Sequence, residues 1–165
     1  MSHPDPLEAF LRAMPKAELH CHLLGTVRRD TFTHLVRRER APISDAEIEA
    51  FYTRGEKPVG VLRVLRALDQ DLIRSADDLH RLTYEYLQDA AAHSVRYAEF
   101  FWNPTGTAEV SGLPYARAVE GIVRAKQDRL PAVPRHRRLD LDLLVRPAGR
   151  REPGLHRAAA AGGKA

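Results

Sequence analysis

The sequence predicts an α/β fold whose strands pair in parallel. Two short β-rich segments, residues 17–22 (AELHCH) and 95–102 (VRYAEFFW), lie far apart in the chain. Helical patterns fill the interval, which suits a long crossover between parallel strands and not a hairpin. A length of 165 residues is also enough to bury a core.

The elements follow in order. Asp5 as N-cap and Pro6 at the first helical position open a helix with Leu7, Phe10 and Leu11 on its apolar side, and Pro15 ends it. Residues 17–22 form a short strand, closed by a turn at Gly25. Asp30 is expected to cap a helix carrying Phe32, Leu35 and Val36. Ser44 with Glu47 makes a capping box ahead of Ile48 and Phe51. Val59, Leu62, Leu65, Leu68 and Leu72 recur at helical spacing. Ser75 with Asp78 resembles another helix start, and Leu79, Leu82, Tyr86 and Leu87 carry that helix to about His93. The second strand ends at Asn103-Pro104. Pro114 opens a last helix with Ala118, Val119, Ile122 and Val123.

The chemistry changes after Asp128. Arg, Ala, Leu, Pro and Gly supply 29 of the last 37 residues, and all 11 aromatic residues lie before them. Residues 139–145 (LDLDLLV) alternate like a strand but lack a patterned partner. Such a segment buries too little apolar area to offset its ordering entropy, so residues 129–165 are expected to be a disordered tail. Out-of-frame reading of GC-rich codons produces this composition, and a frame shift after codon 128 is the sharper expectation.

The net charge of +4 is unevenly placed: residues 1–128 carry a balance of −2 and residues 129–165 one of +6. A surplus confined to one end is poor grounds for a nucleic-acid-binding domain. No run approaches the roughly 18 apolar residues of a membrane span, and no secretion signal is expected. The single cysteine, Cys21, excludes an intramolecular disulfide and suits a reducing cytoplasm.

Alternation along a strand puts residues i and i+2 on one face. His20 and His22 therefore offer two imidazoles to one metal ion, with Cys21 pointing away and Glu18 one step deeper on the histidine face. The ligands fall at the C-terminal end of the strand, where parallel barrels place active sites. His34, His80 and His93 are expected to be solvated or helix-end residues, and His136 and His156 receive no role. Trp102 and the Phe100-Phe101 pair are expected to fill the core.

Residues 14–28 (MPKAELHCHLLGTVR) resemble the first barrel strand of the adenosine/adenine deaminase family, P-K-x-E-L-H-x-H-L-(D/E)-G, through Pro15, Lys16, Glu18, Leu19, His20, His22, Leu23 and Gly25. Residues 96–104 (RYAEFFWNP) resemble its second strand, Y-x-E-x-x-x-x-P. The resemblance spans about residues 7–128 and implies the N-terminal part of a TIM (β/α)8 barrel, incomplete at about two strands plus helices. It implies a zinc-dependent aminohydrolase, with Zn2+ held by His20 and His22 and a small purine as substrate.

Two positions depart from the family pattern. Leu24 stands where the family usually carries an acidic residue, and Phe101 stands where many adenosine deaminases have Arg. Both weaken recognition of a nucleoside and leave adenine or another aminopurine. Neither an H-A-G-E-like segment nor an S-x-D-D pattern follows, so the third His, the catalytic Glu and the metal-binding Asp are missing. A catalytic zinc normally keeps three protein ligands. The chain alone is thus expected to be inactive and prone to aggregate through unpaired strand edges. Two other readings remain: a fragment of an amidohydrolase acting on a non-purine amine or amide, and a small non-enzymatic domain with a basic, nucleic-acid-binding tail.

Overall fold

The computed structural model describes residues 5–53, 60–128 and 140–143. Helix α1 (Pro6–Ala13) leads into strand β1 (Lys16–His22) and a 3-10 turn at Leu23–Thr26. Helices α2 (Arg29–Glu39), α3 (Asp45–Tyr52) and α4 (Val61–Ala67) follow, and a π-helical turn at Leu68–Leu72 prolongs α4. Next come α5 (Ala76–Ala92), β2 (Val95–Phe101), α6 (Pro104–Ser111), α7 (Tyr115–Gln127) and β3 (Asp140–Leu143). The strands form one parallel sheet in the order β1-β2-β3.

Local chemistry explains the starts of α1, α3 and α5. Asp5 accepts a hydrogen bond from Leu7 N at 2.9 Å and caps α1. Both capping boxes form: Ser44 with Glu47 on α3, and Ser75 with Asp78 on α5. Asp30 does not cap. Helix α2 begins at Arg29 with Arg28 before it, and Asp30 sits in the first turn, where a carboxylate favours the positive end of the helix dipole. Arg28 is instead drawn to α5, where its guanidinium meets Asp89 at 2.6 Å and the Glu85 carbonyl at 3.1 Å.

The core lies on one side of the sheet. Ala98, Phe100 and Trp102 of the second-strand segment join Leu23 and Leu24 of the turn, Phe32, Leu35 and Val36 of α2, Leu79, Leu82 and Leu87 of α5, and Ala118 and Ile122 of α7. Phe32 packs edge-on against Phe51 and Tyr52. Helices α5 and α7 cross so closely that a Cβ on Gly121 would lie 2.1 Å from the Ala76 carbonyl oxygen.

Four sequence expectations change here. The periodic stripe splits: Leu68 and Leu72 are fully buried while Leu62 is 69% exposed, and Val59 lies outside the described residues. Helix α6 fills the stretch between Pro104 and Pro114 for which the sequence suggested no element, because Asp69 from the π-turn caps it by accepting from Thr107 N (2.9 Å) and Oγ1 (2.6 Å). The apolar side of α1 does not pack, with Leu7 and Phe10 each 61% exposed. Residues 140–143 form β3 and pair with Tyr97 to Phe100, giving the alternating segment the partner it was thought to lack. The remainder of the tail lies outside the described residues.

Candidate functional site

The site grows from the C-terminal halves of β1 and β2. Lys16 anchors the base of β1: its ammonium donates to the carbonyls of Leu11 (2.6 Å), Met14 (2.9 Å) and His93 (3.0 Å), and its amide donates to Ser94 O (3.0 Å). Ser94 closes the same junction with its hydroxyl on Arg12 O, from a left-handed backbone conformation with φ of 60°.

Pairing then slips. Glu18 stands opposite Ala98, yet Cys21 stands opposite Phe100, so Leu19 and His20 together face Glu99. This is a β-bulge on β1, an extra residue that breaks strict alternation. Upstream of it, Glu18 falls on the helix-covered side, near enough to Cys21 and Tyr86 to act on both electrostatically. The expectation that Glu18 shares the histidine face is therefore wrong. Cys21 does point away from the histidines, as expected, and packs against the core. Its thiol is pushed up by burial and by Glu18, against a smaller opposing contact with Tyr86. Burial likewise raises the Tyr86 phenol.

Downstream of the bulge, His20 and His22 emerge together on the open face, both exposed. Their ring centroids are 5.4 Å apart, with planes at 71°. Neither ring takes a hydrogen-bond partner among the described residues. Two imidazoles on one face, unengaged by the described residues, suit a divalent transition metal, which takes imidazole nitrogen readily. No group of three or more metal-ligating side chains occurs among the described residues.

Phe101 completes the wall. Its ring lies 4.6 Å from that of His20 and 6.0 Å from that of His22. Its predicted core position holds only for its neighbours: Phe100 and Trp102 are buried on the helix side, and Phe101 is on the opposite face. Tyr97 and Glu99 share that face, with the Tyr97 hydroxyl donating to Glu99 Oε1. The i, i+2, i+4 spacing of Tyr97, Glu99 and Phe101 carried this grouping in the sequence, but only His20 and His22 were singled out there. Leu24 is 7% exposed and belongs to the core, so it presents nothing to the open face.

The other histidines lie elsewhere. His80 Nε2 meets Asp128 at 2.7 Å, His93 ends α5 with Nδ1 2.8 Å from Asp89 O, and His34 lines an open hollow with Asp30 and Arg37. His136 and His156 lie outside the described residues. No described helix is long and apolar enough to cross a membrane.

Comparison with known proteins places this geometry in context. A profile of the adenosine deaminase family matches residues 15–134, running past the composition change at Asp128. An adenine deaminase of Pseudomonas entomophila is 32% identical over 122 residues, which are 72% of this chain and 38% of that protein. An uncharacterised deaminase of Schizosaccharomyces pombe is 29% identical over 125 residues, or 75% of this chain and 37% of that one. Among solved structures, a zinc-bound amidohydrolase from Burkholderia ambifaria superposes with a TM-score of 0.75 at 56% identity, covering 89% of this chain and 39% of its own. The N6-methyl-AMP deaminase of Arabidopsis thaliana shares the fold, with a TM-score of 0.64 at 23% identity over 83% of this chain and 41% of its own. The chain spans 37–38% of the length of these two curated relatives.

Proposed function

Since the chain belongs to the adenosine deaminase family, we propose that it carries the first-strand half of the metal site of a zinc-dependent aminopurine hydrolase. His20 and His22 are the residues that would hold the ion. The observation that carries this is the pair of exposed imidazoles, 5.4 Å apart and without protein partners among the described residues. Zinc, when bound, supplies Lewis acidity that activates water near neutral pH for attack on the amine-bearing carbon.

The remaining roles belong to the chain. Phe101 offers an aromatic wall beside the histidines for a planar heterocycle to stack on. Leu24, apolar and buried, offers no acceptor for a ribose hydroxyl, which favours adenine or another free aminopurine over a nucleoside. The 165 residues contain no H-A-G-E-like or S-x-D-D segment that would protonate the ring or complete the metal site. By itself the chain is therefore inactive. A cytoplasmic setting fits the single thiol.

A non-purine substrate is the second reading, since the relative at 56% identity is described only as a zinc-bound amidohydrolase. Equilibrium dialysis against Zn2+ tests the site: one ion per wild-type chain is expected, and none in the H20N/H22N double variant. Equal zinc in both refutes the assignment. Ammonia release from adenine, adenosine or a simple amide by the chain alone would overturn its inactivity and identify its substrate class.

A further inference from the structure

We propose that Glu99 is a positioning residue for His20, fixing the ring's tautomer and orientation as a ligand. The inference rests on the metal-site reading above and adds to it a residue on the neighbouring strand. The register leaves Glu99 alone opposite the bulged pair Leu19 and His20. Neighbouring strands run about 4.8 Å apart, so side chains that share a face at one register position are within mutual reach. Glu99 shares the face of His20: it alternates with buried Ala98 and Phe100, and Phe101, two residues on, packs against the His20 ring.

The unmet hydrogen-bonding capacity on the two sides matches. Tyr97 occupies Oε1 of Glu99, which steadies the carboxylate, and Oε2 has no partner among the described residues. Glu99 is half-buried, and among the described residues no ion pair of its carboxylate occurs. His20 has two ring nitrogens and, among the described residues, no partner for either. A metal takes one nitrogen of a histidine, and the other typically donates its proton to a carboxylate. Glu99 Oε2 is the carboxylate oxygen whose place in the sheet suits that proton. Glu18, the carboxylate of β1 itself, lies on the far side of the bulge and accepts from the His20 backbone amide at 3.4 Å, and Asp142 flanks Glu99 on its other side, one strand further from His20.

The test is zinc competition against a chromophoric chelator, using the full 165-residue chain. Wild type is compared with H20N, E99A and E99Q, with folding followed by circular dichroism. H20N is expected to abolish tight binding. E99A is expected to weaken it about 10- to 100-fold, with E99Q intermediate because its carbonyl still accepts. Wild-type affinity in E99A, or an E99Q as weak as E99A, overturns the positioning role while H20N leaves the metal site standing. Wild-type affinity in H20N overturns the metal site itself. If E99A does not fold, long-range 1H–15N spectra of the zinc-loaded wild type decide. A slowly exchanging proton on the metal-free nitrogen of His20 is expected, and a freely exchanging one overturns the proposal.

Discussion

Asp78 is the residue whose removal most directly tests how helices α2 and α5 are held to one another. Its side chain is 6% exposed and binds Arg38 through two contacts, Nη1 at 2.5 Å and Nη2 at 2.9 Å. The same carboxylate accepts from Arg74 N (2.9 Å), Ser75 N (3.0 Å) and Ser75 Oγ (3.0 Å), so it also closes the start of α5. Replacing it with alanine leaves Arg38 without its main counter-charge and orphans these donors. Breaking a buried pair costs about 3–5 kcal/mol, and the loss of a helix cap about 1 kcal/mol. Arg38 is 36% exposed and regains water, which moves the sum to the low end, about 3 kcal/mol. At a urea slope of roughly 2 kcal/mol/M, the midpoint falls by about 1.5 M. Trp102, the single tryptophan, is buried and stacked near Tyr115, so its fluorescence reports the transition. Burial alone would raise the Asp78 carboxyl, but the bonds from Arg38, Arg74 and Ser75 outweigh it and hold it below its ordinary value. Its stabilisation is therefore complete above the unfolded carboxylate range and is lost as pH falls through the depressed folded value. The gap between wild type and D78A should accordingly be full at pH 7 and shrink on acidification. A D78A midpoint within 0.3 M of wild type at pH 7, roughly 0.6 kcal/mol at that slope, would refute the reasoning.

Three further outcomes follow from the packing. G121A forces α5 and α7 apart, because the new Cβ meets the Ala76 carbonyl at 2.1 Å; a loss of about 1–3 kcal/mol in urea melts is expected, and an unchanged midpoint would show that the helices do not cross there. G106A drives a Cβ to 2.0 Å from Asp69 Oδ2 and displaces the cap of α6, so amide exchange should accelerate in Pro104–Ser111 and not in α5; uniform exchange would count against that cap. L24D places a carboxylate in the core and should cost several kcal/mol, at least about 3; a variant as stable as wild type would mean that Leu24 faces the site, and with it would fall the reason given for excluding ribose.

The parts of the fold that the sequence predicted are those governed by near neighbours. Ser44 with Glu47 and Ser75 with Asp78 each form a reciprocal pair within one turn, so the residues alone suffice to place the helix start. His20 and His22 share a face because the alternation between them is local. The misplaced parts depend on distant groups. Helix α6 contains Gly, Thr, Val and Ser, poor helix formers, and is nucleated by Asp69 far back in the chain. Arg28 starts α2 where Asp30 was expected to, because its own partners lie on α5. Strand β3 has an alternating pattern, but its partner is β2, which the first 128 residues had already accounted for. Glu18 and Phe101 were misassigned through face parity. The bulge reverses parity at Glu18, and the open face, more than residue type, sets the place of Phe101.

That reversal divides β1 into two stretches with different surroundings. Before it, Lys16 and Glu18 answer to the helices and the neighbouring strand, so substitutions there should register as changes in how well the protein holds together. After it, His20 and His22 stand exposed on the open side, so their replacement is expected to leave the fold's stability nearly unchanged. One inserted residue therefore separates the exposed histidines from the scaffold-facing residues within a strand of seven residues. A single-residue deletion at Leu19 would remove the bulge and restore plain alternation, with Glu18 still opposite Ala98 on the helix side and His20 alone opposite Glu99 on the open face.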